Sequence, residues 1–184
     1  MKSLRRLFVP TAMLFIGLSY SGAHLSDSVA VTGNAFIAEQ SSNYDVVLNE
    51  VYANPIGDEA ATMPGGEWLE LYNKGHWPID VNGWYLYDAL DSHDFKISTV
   101  NVLSGSTVIA PRGYLVIYRN GDADFSLNNG SETVRLYDDS LLVGNLIDSF
   151  SYMNTQESKS WSTIPDGTDI WSDGHVPTPG GPNV

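Results

Sequence analysis

An all-β fold, an antiparallel sandwich or barrel, is predicted by three observations. From Tyr44 onward apolar and polar residues alternate with period two. Short apolar runs are broken by Gly, Asn, Asp and Pro roughly every eight to twelve residues. No stretch offers apolar residues at i, i+3, i+4 and i+7 over three turns, so helix content is expected to be low.

The strands are expected in chain order at Tyr44–Ala53 (YDVVLNEVYA), Glu67–Asn73 (EWLELYN), Gly83–Ala89 (GWYLYDA), His93–Ile97 (HDFKI), Ser106–Ala110 (STVIA), Tyr114–Arg119 (YLVIYR), Glu132–Asp138 (ETVRLYD) and Asn145–Tyr152 (NLIDSFSY). Asn129-Gly130, between two strand patterns, predicts a tight hairpin, because both residues tolerate positive φ. The same residues open an N-glycosylation sequon, Asn129-Gly130-Ser131. Asn54–Glu67 is a long Gly- and Pro-rich connection, of a length uncommon in compact domains and often functional.

Length and termini set further bounds. A chain of 184 residues predicts one domain. Lys2, Arg5 and Arg6 precede the apolar run Leu7–Leu18, which is short for a bilayer span and the right length for a signal h-region. Ser21 and Ala23 suit cleavage after Ala23; an uncleaved N-terminal anchor is the alternative. The expected division is a signal peptide over 1–23, a linker or extension over 24–43, and the β domain over 44–184.

Charge narrows the partners. Removing residues 1–23 takes three of nine basic residues and none of the 22 acidic ones, leaving a formal charge of −16. Such a surface repels nucleic acid and anionic membrane, which bind chiefly through Lys and Arg. The absence of cysteine rules out a disulfide framework and thiolate chemistry, so stability must come from the core.

Two resemblances follow from particular motifs. Leu25, Ser26, Asp27, Gly33, Asn34, Phe36 and Ala38 resemble the start of precursors handled by the SipW-type signal peptidase, such as camelysin-like and biofilm-fibre proteins. His24-Leu25 departs from the usual Ala-Tyr-Phe type, and the Gly-Thr-Leu-Asp-Leu type continuation is missing. An ordinary signal peptide followed by a spacer accounts for the same residues. Further on come LNEVYANP (48–55), GEWLELYN (66–73), IDVNGWYLYD (79–88), IAPRGYLVI (109–117), LIDSFSY (146–152), SKSWSTIPDG (158–167) and PTPGGPN (177–183). Their content and order resemble a prokaryotic lamin-tail domain over residues 44–184. The resemblance implies an immunoglobulin-like antiparallel β-sandwich. It also implies that the Pro-Gly-rich segment closes the domain; its prolines suit a polyproline or edge path, so it is expected to lie extended across the sandwich.

Within these motifs, alternation puts Trp68, Glu70 and Tyr72 on one face of a strand and Glu67, Leu69 and Leu71 on the other. A carboxylate thus accompanies apolar residues on each side, and where buried it needs hydrogen bonds or a cation. Trp84 is the expected central core aromatic. Trp68, Tyr72, Tyr85 and Tyr87 fall on strands; Trp77, Trp161 and Trp171 stand in loop-like contexts and are the expected exposed aromatics.

No catalytic, cofactor-binding or metal-ligating residue is assigned. Asp88, Asp91 and Asp94 could gather around Ca²⁺, yet EF-hand spacing is missing and solvated turn carboxylates explain them equally well. Asp58-Glu59 and the pair Asp122 and Asp124 have still less claim. His24, His76, His93 and His175 show no zinc spacing. There is no G-x-S-x-G elbow, and Glu67 and Glu70 point to opposite faces of a strand, poor geometry for glycosidase work. The expectation is an exported, non-enzymatic module without a cofactor, secreted or at the cell surface, binding a protein or surface polymer. One alternative is a self-assembling fibre subunit that donates Asp27–Gln40 as a strand to a neighbour. Another is a Ca²⁺-dependent accessory of a secreted hydrolase or nuclease. Binding to nucleic acid and insertion into membrane after cleavage are not expected.

Overall fold

The computed structural model describes residues 31–32, 35–36 and 44–184. The signal segment 1–23 and the leader-like residues Leu25, Ser26, Asp27, Gly33, Asn34 and Ala38 lie outside the described residues. Within residues 1–40, β1 (Val31–Thr32) and β2 (Ala35–Phe36) pair antiparallel, with Val31 opposite Phe36.

Residues 41–184 form a second compact unit, an immunoglobulin-like sandwich of two antiparallel sheets. The five-stranded sheet contains β3 (Val46–Tyr52), β4 (Trp68–Asn73), β9 (Tyr114–Tyr118), β12 (Ser160–Thr163) and β13 (Trp171–His175), in the order β13-β12-β3-β4-β9. The four-stranded sheet contains β6 (Tyr85–Tyr87), β7 (Asp94–Lys96), β10 (Ser131–Tyr137) and β11 (Leu146–Met153), in the order β11-β10-β6-β7. A short pair, β5 (Ile79–Asp80) with β8 (Val108–Ile109), stands apart from both. The only helical turn among the described residues is a 3-10 turn at Thr99–Asn101.

The core lies between the sheets, where the long strands turn their apolar side chains inward. Leu48, Val51, Leu69, Leu71, Leu115 and Ile117 from the five-stranded sheet meet Leu86, Phe95, Val134, Leu136, Phe150 and Tyr152 from the other in one buried cluster. Trp84 joins it at 5% exposure, with Tyr44 edge-on at 4.8 Å. Burying such side chains stabilises by about 1.5–3 kcal/mol each, which is how a chain without disulfides holds together.

All eight expected strands are present, and five elements were not foreseen. β1 and β2 fall in the extension; β5 has only two residues; β12 and β13 are rich in Ser, Asp and Gly and lack an apolar run. This corrects the reading of Trp161 and Trp171. Both lie on strands, half-buried against the core, with Trp171 stacked on Phe150 at 3.7 Å. Trp77 is exposed as expected, at 80%.

Asn129-Gly130 requires another correction. It bends the chain ahead of β10, but no strand precedes it and neither residue has positive φ. Phe125 and Leu127 are drawn into the core, so the approach to the turn serves as a plug instead of a strand. The carbonyls of Asn129 and Gly130 are held by the Thr155 and Asn154 amides, respectively, and the Asn129 amide donates to Glu59 at 2.6 Å.

Candidate functional site

The outer face of a five-stranded sheet would ordinarily meet water. Here β4 is buried at all six positions, so its outer face is covered too. Asp166, Gly167 and the Thr178–Asn183 segment lie against that face, and what they sit on is a set of buried acids.

The set begins with a β-bulge. The β3–β4 register passes from Leu48 opposite Leu71 to Glu50 opposite Glu70, leaving Asn49 as the extra residue. Leu48 and Val51 face the core, while two consecutive polar side chains, Asn49 and Glu50, reach the outer side. Opposite them, the β4 alternation brings Glu70 to the same side. Asn49, Glu50 and Glu70 all have 0% exposure.

Each acid is satisfied by hydrogen bonds. Glu50 accepts from the Ser160 hydroxyl (2.6 Å), the Ser162 hydroxyl (3.3 Å), and the amide and hydroxyl of Thr178 (3.1 and 3.2 Å). Glu70 accepts from the Asn49 amide group (3.0 Å) and the Gly180 backbone N–H (2.7 Å). Asp166 accepts from Asn49 (3.0 Å), the Tyr114 hydroxyl (2.8 Å) and the Asn183 backbone N–H (3.1 Å). Asn49 ties the group together, its carbonyl oxygen accepting from Thr163 (2.7 Å) and the Gly167 amide (2.9 Å). Asn183 closes the arrangement by donating its side-chain amide to the Asn49 and Thr163 carbonyls at 3.0 Å each.

Burial dominates the electrostatics of these acids. Burial pushes the Glu70 carboxyl up to about 8, against the Asn49 and Gly180 hydrogen bonds, and the facing Glu50 and Asp166 push the same way. Glu50 is raised by burial as well, opposed by Ser160 and Thr178. Burial, then Asp166, raises the Tyr114 phenol, and burial raises Tyr118, so neither ionises near neutrality.

The Pro-Gly-rich segment does not lie extended. Thr178-Pro179-Gly180-Gly181 makes a turn, with the Gly181 amide donating to the Thr178 carbonyl at 3.0 Å and φ +82° at Gly180. Proline followed by a glycine with positive φ is the type II arrangement. The turn crosses from Glu50 on β3 to Glu70 on β4, its tip amide aimed at the second acid. Beyond it, an open cleft of about 220 Å³ separates Pro179 and Gly180 from Leu103, Tyr114, Val116 and Tyr118.

The other singled-out residues lie elsewhere. Glu67 faces the core, where it accepts from Arg119 (3.0 Å) and the Leu127 amide (3.2 Å); burial pushes it up to about 7. Asp88 accepts from the Leu90 and Ser126 amides and pairs with His93 at 2.8 Å, whereas Asp91 turns to Arg135 and Asp94 is exposed. The three are not gathered round one point. Asp58 and Asp122 cap their own turns, Asp124 is exposed, and His175 bonds Ser172. His24 lies outside the described residues, and among these no three His, Asp or Glu have metal-holding geometry.

Sequence reasoning placed Glu67 and Glu70 on opposite faces and missed Asn49, Glu50 and Asp166 as partners. The available signal was Asn49-Glu50 itself, two polar residues inside the apolar run VVLNEVY.

Comparison with known proteins agrees with this architecture. The family model described as Lamin Tail Domain matches residues 39–154. Searches of curated proteins and of solved structures return no match. The matched stretch holds β3 to β11, while β12, β13 and the covering turn complete the sheet beyond it. The chain therefore belongs to the lamin tail domain family.

Proposed function

We propose that this chain is an exported, non-catalytic module that acts by binding or by building structure at the cell surface or in the extracellular matrix. One observation carries the reading: the buried polar cluster around Glu50, Glu70, Asp166 and Asn49 is engaged by the chain's own residues, Ser160 and the 163–183 segment among them. Side chains bonded in this way hold a fold together and are not free to work on a substrate. The signal-like N-terminus and the −16 charge of residues 24–184 support export and argue against a nucleic-acid partner.

The test is size-exclusion chromatography with light scattering and negative-stain microscopy on residues 24–184, with and without millimolar calcium. A species of the same size in both conditions, with a flat calcium calorimetry trace and no nuclease or glycosidase turnover, is expected. Calcium-dependent assembly or turnover would replace this reading with that of a hydrolase accessory.

A second reading, a fibre subunit, is favoured by the strand character of Val31–Thr32 and Ala35–Phe36 within the segment offered for donation. Fibres that vanish when the chain is shortened to start at residue 42 would support it, and fibres that persist would sink the donor-strand form.

A further inference from the structure

The turn at Thr178–Asn183 is held in an unusual way for part of a β domain. None of its described backbone amides joins a strand ladder. Thr178, Gly180 and Asn183 donate instead to the side-chain carboxylates of Glu50, Glu70 and Asp166, and Gly181 donates within the turn. No residue from Val176 to Val184 is buried, so no apolar anchor fixes the segment. Its seat is the opposite: Asn49, Glu50, Glu70 and Thr163 are all fully buried and mutually bonded. The seat is a built receptor and the turn its ligand, joined to the sheet through Val176 and Pro177 after β13.

Such a pairing does not depend on which molecule supplies the turn. We propose that the seat formed by Asn49, Glu50, Glu70 and Asp166 binds the Thr178–Asn183 turn of a second copy of this chain, so that copies associate by exchanging this segment. A segment without buried apolar contacts opens at low cost, and exchange of identical elements is a low-cost route to association. Every contact seen within one chain is available between two, so the second copy needs no new chemistry. The open cleft beside Pro179, over Tyr114, Val116 and Tyr118, leaves room for an incoming turn to approach. This inference rests on reading the chain as a binding or structural module and names its partner. A monomer in solution that binds something else would defeat the exchange and spare the module.

The absence of cysteine makes the test clean. Full-length Pro179→Cys and Val116→Cys, residues that line the same cleft, are mixed at high concentration and oxidised. Heterodimer well above half of the cross-linked material, the share that random pairing gives, is expected, falling when a peptide of residues 175–184 is added. Heterodimer at or below that half overturns the proposal. A second measurement does not depend on those variants. The fluorescent 175–184 peptide is titrated into full-length Gly180→Pro, whose own turn has lost the amide that Glu70 accepts. Binding about tenfold tighter than to the unaltered chain is expected, because the intramolecular competitor is gone. A Gly180→Pro peptide should not bind. A flat titration, or equal binding when the receiving chain also carries Glu50→Ala and Glu70→Ala, which remove the acceptors of the Thr178 and Gly180 amides, overturns it.

Discussion

Glu67 and Glu70 stand three residues apart, both completely buried, on opposite faces of the same strand segment. Glu67 looks into the sandwich and meets a cation, Arg119, and the amide of the plugging segment at Leu127. Glu70 looks outward, has no ion-pair partner among the described residues, and faces Glu50 and Asp166 under a turn that supplies one backbone amide. Burial raises both, to about 7 and about 8. The difference lies in what compensates for burial. The inner acid is compensated by a cation and a backbone amide, whereas the outer acid has only hydrogen-bond donors around it among the described residues.

The largest effect should come from breaking the inner pair. Glu67→Ala strands Arg119, whose side chain is only 12% exposed, and leaves the Leu127 amide unpaired. Removing one partner of a buried ion pair costs about 3–5 kcal/mol. Urea unfolding should show that loss, while a loss under 1 kcal/mol would mean that Arg119 finds water.

The outer acid should reveal itself through pH. A carboxyl whose folded value lies above its ordinary 4.5 contributes stability that is fully present below 4.5 and lost as pH rises through about 8. The urea midpoint should therefore fall between pH 5 and 9, by an amount on the order of a few kcal/mol at most. Glu67 contributes the same sign up to about 7. Glu70→Gln keeps a neutral group in place and should flatten the upper part of that slope, leaving the variant the more stable protein at pH 9. An unchanged slope would show that Glu70 titrates normally.

Much of this architecture is legible in the sequence. Period-two alternation places a side chain on a face by parity alone, so the strands from β3 to β11, the two-residue β5 excepted, and the opposition of Glu67 and Glu70 could be read directly. The seat could not, because the bulge at Asn49 breaks parity, and Asp166 lies 117 positions away in sequence. β12 stayed hidden because Ser160 and Ser162 face Glu50 instead of the core, so no apolar rhythm marks the strand. The Asn129-Gly130 expectation failed for a related reason: local turn chemistry was overruled by core burial of Phe125 and Leu127.

A smaller effect sharpens the outer face. Gly167 sits at φ +71° with its missing Cβ 2.7 Å from the Tyr72 ring, and its amide donates to Asn49. Gly167→Ala meets both backbone strain and the ring, at a cost of about 2 kcal/mol. Gly57, with φ +97° and nothing near, should lose only about 1 kcal/mol on the same change. Equal losses at the two sites in thermal melts would mean that strain alone acts and that Tyr72 yields.

The smallest effect compares two tyrosines, one per face. The Tyr114 hydroxyl donates to Asp166 on the outer side, while the buried Tyr152 hydroxyl on the inner side has no partner among the described residues. Burial, with Glu132, Glu67 and Glu59 nearby, raises the Tyr152 phenol and keeps it neutral. Tyr114→Phe removes a made hydrogen bond and leaves Asp166 with one donor fewer, so it should destabilise by about 1 kcal/mol. Tyr152→Phe removes only an unmet polar group and keeps the ring against Phe150 and Trp161, so it should be neutral or stabilise by up to about 1 kcal/mol. Opposite signs in parallel urea titrations would confirm that the outer face is held by polar bonds and the inner one by packing. A loss from Tyr152→Phe as large as that from Tyr114→Phe would show that the inner hydroxyl is bonded too, and that the contrast between the faces belongs to Glu67 and Glu70 alone.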